Sequence, residues 1–354
     1  MYEIRSLTSL RFISAFVVFF MHCRIHLGFE VGNSLFDRFI SHGAVFMSVF
    51  FVLSGYILAY AYNSKDFNQS IVLKEYYIRR FTRIYPAYFF ASMVYFLIFF
   101  NSLEYTFGDW VRVIINDLFL IQAFFSNMFV LGINSGTWSL SVEAFFYLVF
   151  PLVILLFRSK PKLLFFISIF YTLIVNINII SENSSLLVND QLKTIHYSNP
   201  LMRLNEFLLG ISFFYLRDSK LLLSIPKLLK SPILCILFFC IFSLFEFAGL
   251  EYVFMGFQIV LVPLCGYTIF CLHSSGLKLI ENRLFLYLGR TSYSFYIWQI
   301  FAMEFGKILI NDYNFTVYQS VFSSLILNFI FAFLSYHLLE VLCRNTLNTK
   351  LLKL

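Results

Sequence analysis

Residues 42–60 read HGAVFMSVFFVLSGYILAY, a run without a single Lys, Arg, Asp or Glu. A hydrocarbon layer of about 30 Å takes roughly 20 residues of α-helix to cross, and lipid offers no partner for open backbone, so this run is read as a membrane-spanning helix. The same ruler carried outward finds spans near 7–27, 42–62, 84–101, 138–157, 162–180, 200–216, 232–250, 252–273, 284–310 and 317–342, about ten in all. The longest polar stretch lies around 181–199, too short for a folded domain of its own. The expected fold class is therefore all-α, a polytopic transmembrane helix bundle in which residues 1–354 form a single membrane domain and no soluble domain is present.

Composition points the same way. Of the 354 residues 60% are hydrophobic and 13% charged, where soluble domains carry about 25% charge. The net charge of +7 sits in short clusters between apolar runs, not along one basic face, which argues against nucleic acid and for topology marking. With Arg5 in the cytoplasm, the inner segments collect Lys65, Lys74, Arg79, Arg80 and Arg83, then Arg158, Lys160 and Lys162, then Arg217, Lys220, Lys227 and Lys230. Lys278, Arg283, Arg344, Lys350 and Lys353 continue the series, so both termini are expected to be cytoplasmic. The stretch 111–131 is apolar enough to span but contains Arg112, Asn116, Asp117 and Gln122, and as a crossing it would turn every later basic loop outward. It is expected to be an interfacial or re-entrant helix on the outer side. The six Cys lack the short paired spacings of a metal site or a disulfide framework. The first apolar run holds Arg11, His22 and Arg24 and is followed by no small-residue cleavage site, so it is expected to remain in the mature protein.

Ionisable side chains inside spans are costly and face a cavity or a partner. Arg11 and His22 are eleven steps apart; at ~100° per step that is within about 20° of three turns, so both project from one face, separated by about 16 Å along the axis. Snorkelling of Arg11 and capping by His22 would be the structural alternative. Glu143 lies in TWSLSVEAFFYLVFP, 137–151, where Trp138, Ser141 and Glu143 crowd one end of the fourth span. A carboxylate that orients a His is a recurring general-base device, while a structural pairing with Arg11 or Arg203 would also satisfy it. Arg203 and Glu206 have a spacing that lets them satisfy each other. The segment YYIRRFTRIYP, 76–86, places Arg79, Arg80 and Arg83 at the cytoplasmic mouth of the third span, suited to a phosphorylated cosubstrate or to lipid phosphate. Gly43, Ser54 and Gly55 are small positions that let helices approach closely or leave room for a ligand. In the ninth span LGRTSYSFYIWQI, 288–300, carries too much hydrogen-bonding capacity to face lipid and is expected to line a cavity, with Tyr293 and Trp298 among its members.

Taken in order, SLRFISAFVVFFMH (9–22), VFFVLSGYIL (49–58), RRFTRIYP (79–86), WSLSVEAFFYLVFP (138–151) and LGRTSYSFYIW (288–298) resemble the membrane-bound acyltransferase-3 family, whose bacterial members O-acetylate lipopolysaccharide, exopolysaccharide and related surface sugars. The resemblance implies an acyl-CoA donor, usually acetyl-CoA, with Arg11 and His22 in the active site and Arg79, Arg80 and Arg83 as a donor-binding element. Gln299 follows Trp298 where many relatives have His, which puts a catalytic role at that position in question. The hydrolase-like domain appended to some members is absent from this sequence.

The combined expectation is a multi-pass protein of the bacterial inner membrane that moves an acyl group from acyl-CoA to a hydroxyl of a glycan acceptor, without metal or nucleic acid and with membrane lipid as its surroundings. His22 would serve as base or acyl carrier, Glu143 would orient the imidazole, and Arg11 would steady donor charge. Trp138, Ser141, Tyr293 and Trp298 are the candidate substrate contacts. A transporter or flippase for a lipid-linked glycan is the chief alternative, although no paired inverted repeat supports it. A receptor or scaffold, with the polar cluster purely structural, is the other.

Overall fold

The computed structural model describes residues 3–99, 105–125, 132–181, 195–244 and 258–351. Helix α1 (Arg5–Leu27) ends at Gly28, whose φ of 69° is a left-handed stop that a glycine takes without strain. α2 (Ser34–Ser41) meets α3 (Val45–Ala61) at a 47° bend, and α4 (Ser70–Phe99) runs 30 residues. α5 (Phe107–Leu118), α6 (Trp138–Phe157), α7 (Pro161–Ser181) and α8 (Leu204–Leu216) follow. Then come α9 (Pro232–Ser243), α10 (Gln258–Ser275), α11 (Arg283–Ile297), α12 (Gln299–Tyr313) and α13 (Val317–Ser335). α13 continues through a π-helical turn, Tyr336–Val341, into α14 (Leu342–Leu351). No strand occurs among the described residues.

Among the described residues six helical stretches are long and apolar enough to cross a membrane, or seven if the bent pair α2–α3 is one span. The chain is a multi-pass membrane protein. The sequence runs near 200–216 and 284–310 form shorter helices: α8 has 13 residues, and α11 and α12 have 15 each. At 1.5 Å per residue each covers only about 20–23 Å, less than the layer thickness. Residues 245–250 of the seventh expected span, the start of the eighth and most of the 181–199 stretch lie outside the described residues.

The expected single span 284–310 is interrupted at Trp298, which sits at φ −93°, ψ −4° between α11 and α12. Carbonyls next to such a break need donors from elsewhere. Asn134 Nδ2 donates to Ile297 O at 3.1 Å and Asn328 Nδ2 donates to Phe295 O at 3.1 Å. The indole of Trp298 is buried in a stack on Phe331, centroids 4.5 Å apart.

α5 is 12 residues long, opened by a capping box between Thr106 and Asp109, and is too short to cross. Leu120, at φ 53°, turns the chain just after it, and residues 126–131 of the expected interfacial stretch lie outside the described residues. Asp117 on α5 is buried and accepts a bond from the Ile133 amide at 3.0 Å.

Two tight helix crossings set the walls of the site. Gly55 of α3 lies on the Phe207 carbonyl of α8, and Gly210 of α8 lies on the Val52 carbonyl of α3, each leaving no room for a Cβ. Gly289 of α11 meets the Thr8 carbonyl of α1 in the same way. α4 is tied to α6 by Tyr76 Oη donating to Tyr147 O at 2.9 Å, and to α11 by Tyr293 Oη donating to Ile84 O at 2.6 Å.

Candidate active site

Between α1, α3, α4, α6 and α11 lies a cavity of about 90 Å³. α3 contributes one stripe at helical spacing, Met47, Phe50, Phe51, Leu53, Ser54, Ile57 and Leu58, so the cavity follows that helix from Met47 to Leu58, about 16 Å of axial rise. Arg11 from α1 and Arg80 and Arg83 from α4 line it, together with Ser139, Glu143 and Tyr147 from α6. Ser292, Tyr293 and Tyr296 come from α11. The sequence therefore delivers a cationic group of side chains and one carboxylate to an interior space by ordinary i, i+3 and i+4 repeats on separate helices.

Glu143 accepts a hydrogen bond from Tyr147 Oη, one turn along α6, and its Oε1 is 3.5 Å from Ser54 Oγ. The Arg80 guanidinium lies over the rings of Tyr62 and Tyr147, 5.6 Å from each centroid, and its buried Nε has no hydrogen-bond partner among the described residues. An arginine held by aromatic faces keeps donors available to a further acceptor. At the Met47 end, Tyr296 Oη donates to Gly136 O at 2.7 Å and receives Ser139 Oγ–H at 2.7 Å.

The structure brings Arg11, Arg80, Arg83, Glu143 and Tyr293 of the expected residues together in this cavity. Arg79 is not with them: its side chain is 43% exposed and pairs with Glu75, Nη2 to Oε1 2.6 Å, on the preceding turn. His22 does not line the cavity, and its partner is not Glu143. Its Nδ1 is 3.0 Å from Gln299 Oε1, and Gln299 comes three residues after the cavity-lining Tyr296. The expected orientation of His22 by Glu143 is thus replaced by a carboxylate held within its own helix and an imidazole held by an amide.

Trp138 packs as a buried ring against Tyr197, centroids 4.6 Å apart, and Phe51, 6.0 Å. Ser141 Oγ accepts the Ala123 amide at 3.3 Å, and Trp298 is occupied by its stack on Phe331. None of these three lines the cavity. Ser292 and Tyr296 line it from the run expected to face a cavity, Ser54 from one of the small positions of α3, and Tyr147 and Ser139 without having been singled out for this role. Tyr147 alone had a local signal, its position four residues after Glu143. Among the described residues no His, Cys, Asp and Glu side chains gather as a metal site would require.

The acyltransferase-domain family called acyltransferase-3 matches residues 4–338. The chain belongs to that family. Acyltransferase MdmB of Streptomyces mycarofaciens is 35% identical over 162 residues, covering 44% of this chain and 40% of MdmB. O-acetyltransferase OatA of Staphylococcus aureus is 28% identical over 334 residues, covering 86% of this chain and 53% of OatA. Peptidoglycan O-acetyltransferase OatA of Listeria monocytogenes is 32% identical over 135 residues, covering 34% of this chain and 22% of that protein. The chain thus spans about half or less of the length of these named relatives. No solved structure matches it.

The acyltransferase-3 match takes in every residue that lines the cavity. Chemically, the acyltransferase-3 cavity combines guanidinium groups suited to phosphate or to a developing oxyanion with a carboxylate and a row of hydroxyls.

Proposed function

We propose that this acyltransferase-3 chain transfers an acyl group, acetyl foremost, from acyl-CoA to a hydroxyl of a cell-surface or lipid-linked glycan such as O-antigen or exopolysaccharide. The observation that carries the reading is the shared cavity of Arg11, Arg80, Arg83 and Glu143, lying in the segment matched to the acyltransferase-3 family. The likeness to OatA, named an O-acetyltransferase, supports the choice of a hydroxyl acceptor.

The protein sits in the bacterial inner membrane with both termini in the cytoplasm, which sets the Arg80 and Arg83 end toward the compartment that supplies acyl-CoA. Arg80 and Arg83 hold donor phosphate, and the cavity along α3 takes the thioester arm from the Leu58 level toward Met47. His22, beyond the residues that line the cavity, accepts the proton of a glycan hydroxyl as its oxygen forms the new C–O bond to the acyl carbonyl. Collapse of the tetrahedral intermediate breaks the C–S bond, and CoA leaves as the thiol once it has taken up the proton. Arg11 steadies negative charge during this passage.

The test uses the full-length chain in proteoliposomes, given acetyl-CoA labelled in the acetyl group and a surface-glycan extract. Release of free CoA together with alkali-labile label in the glycan is expected. Glycan crossing the bilayer with no CoA release would establish the flippase reading instead.

A further inference from the structure

Gln299 is a polar side chain with no exposure, and its two ends meet partners of fixed character. Its Nε2 is 2.8 Å from the backbone carbonyl of Ala15, and its Oε1 is 3.0 Å from Nδ1 of His22. A backbone carbonyl only accepts, so the end of the amide that faces Ala15 must be its NH₂ group. The other end is then the carbonyl oxygen, which also only accepts. Nδ1 of His22 must therefore carry the proton in this bond.

We infer that Gln299 is a positioning residue that holds His22 in the Nδ1–H tautomer, with the lone pair on Nε2. The inference rests on the reading of His22 as the base, and it supplies what that reading lacks once Glu143 is found elsewhere. Ala15 and His22 are both on α1, seven residues apart and on the same side of the helix, while Gln299 comes from the first position of α12, just past the break at Trp298. That break is what aims the amide across at α1. A neutral imidazole in the other tautomer would set its Nδ1 lone pair against the lone pairs of Oε1 and lose the bond. With the Nδ1–H form fixed, Nε2 can take a proton from a hydroxyl without prior rearrangement, the same service a buried acceptor gives to a catalytic imidazole in hydrolases.

The decisive measurement is ¹⁵N NMR of the full chain, labelled at histidine and reconstituted in lipid nanodiscs, with the His22 signals located by their loss in His22→Asn. Wild-type protein is expected to show a protonated Nδ1 and an unprotonated Nε2. Gln299→Leu should redistribute the signal toward the Nε2–H form that imidazole prefers in water, and should lower acetyl transfer about tenfold or more at matched abundance. Gln299→Glu should keep the Nδ1–H form and most of the activity, because a carboxyl group in the same place can accept from Nδ1 and, when protonated, donate to Ala15. A dominant Nε2–H signal in wild type, or an unchanged Nδ1–H signal in Gln299→Leu, overturns the inference. Full acetyl transfer by His22→Asn would instead remove His22 from the chemistry, an outcome separate from the tautomer result.

Discussion

Tyr147 donates its hydroxyl hydrogen to Glu143 from one turn further along α6 while its ring lies beneath the Arg80 guanidinium, 5.6 Å from the centroid. One side chain thus ties the cavity's carboxylate to one of its cations. A hydrogen bond contributes about 0.5–1.5 kcal/mol net, and up to about 3 kcal/mol where a charge is involved. Tyr147→Phe keeps the ring and deletes the bond, so kcat/KM for acetyl transfer is expected to fall between several-fold and a hundredfold with little change in protein abundance. Unaltered kinetics would show that the Glu143 carboxylate needs no such anchor.

The arginines of α4 are expected to separate by function. Arg80 and Arg83 line the cavity, whereas Arg79 is half-exposed and pairs with Glu75. Exposed pairs of this kind contribute about 0–1 kcal/mol. Arg80→Lys and Arg83→Lys should each raise the KM for acyl-CoA by about tenfold or more, since a lysine cannot give a bidentate fork to phosphate. Arg79→Lys should stay near the wild-type value. Equal KM changes at all three positions would contradict the division.

The reciprocal contact of Gly55 and Gly210 with the carbonyls of Phe207 and Val52 leaves no space for side chains. Adding atoms to such a contact forces the backbones apart at a cost of about 1–3 kcal/mol or more. Gly210→Leu is expected to lower the thermal midpoint of the purified protein in detergent by several degrees, with Gly210→Ala intermediate. A midpoint that does not move would mean that α3 and α8 are not pressed together there.

Burial pushes the Asp117 carboxyl on α5 up to about 7, against which the bond from the Ile133 amide acts only partly. The folded protein therefore holds this proton more tightly than the unfolded chain, whose carboxyl titrates near 3.8. The stability that follows is fully present below that lower value and is lost as pH rises through about 7. The thermal midpoint of wild type should fall from about pH 4 to about pH 7 and level off above that, and Asp117→Asn should flatten that fall. Identical pH slopes for the two proteins would rule out Asp117 as the source.

The helical character and the residues able to line a buried site could be read from the sequence because both follow from local composition. Arg11, Arg80, Arg83 and Glu143 are conspicuous as charges in apolar surroundings, and the structure puts all four in one cavity. Arg79, expected beside Arg80 and Arg83, is drawn away because Glu75, four residues before it, competes for it on the same face. The break at Trp298 was not legible, since the donors that permit it, Asn134 and Asn328, come from distant segments. The pairing of His22 with Gln299 depends on that break and was hidden with it. Uncharged cavity residues outside the polar run 288–300, such as Ser139, carry no signal that separates them from packing positions.

The measurement that bears most directly on the account is the ester content of surface glycan, by mass spectrometry and NMR, from cells whose only copy of the gene encodes wild type or His22→Ala at matched membrane abundance. General-base assistance typically contributes about 10²- to 10⁴-fold to such a transfer, while removal of one imidazole leaves the apolar surface that holds the helices in lipid almost intact. Acyl esters are expected in the wild-type glycan and absent from that of His22→Ala, with both proteins inserted equally. Wild-type ester content in the His22→Ala cells would contradict the account.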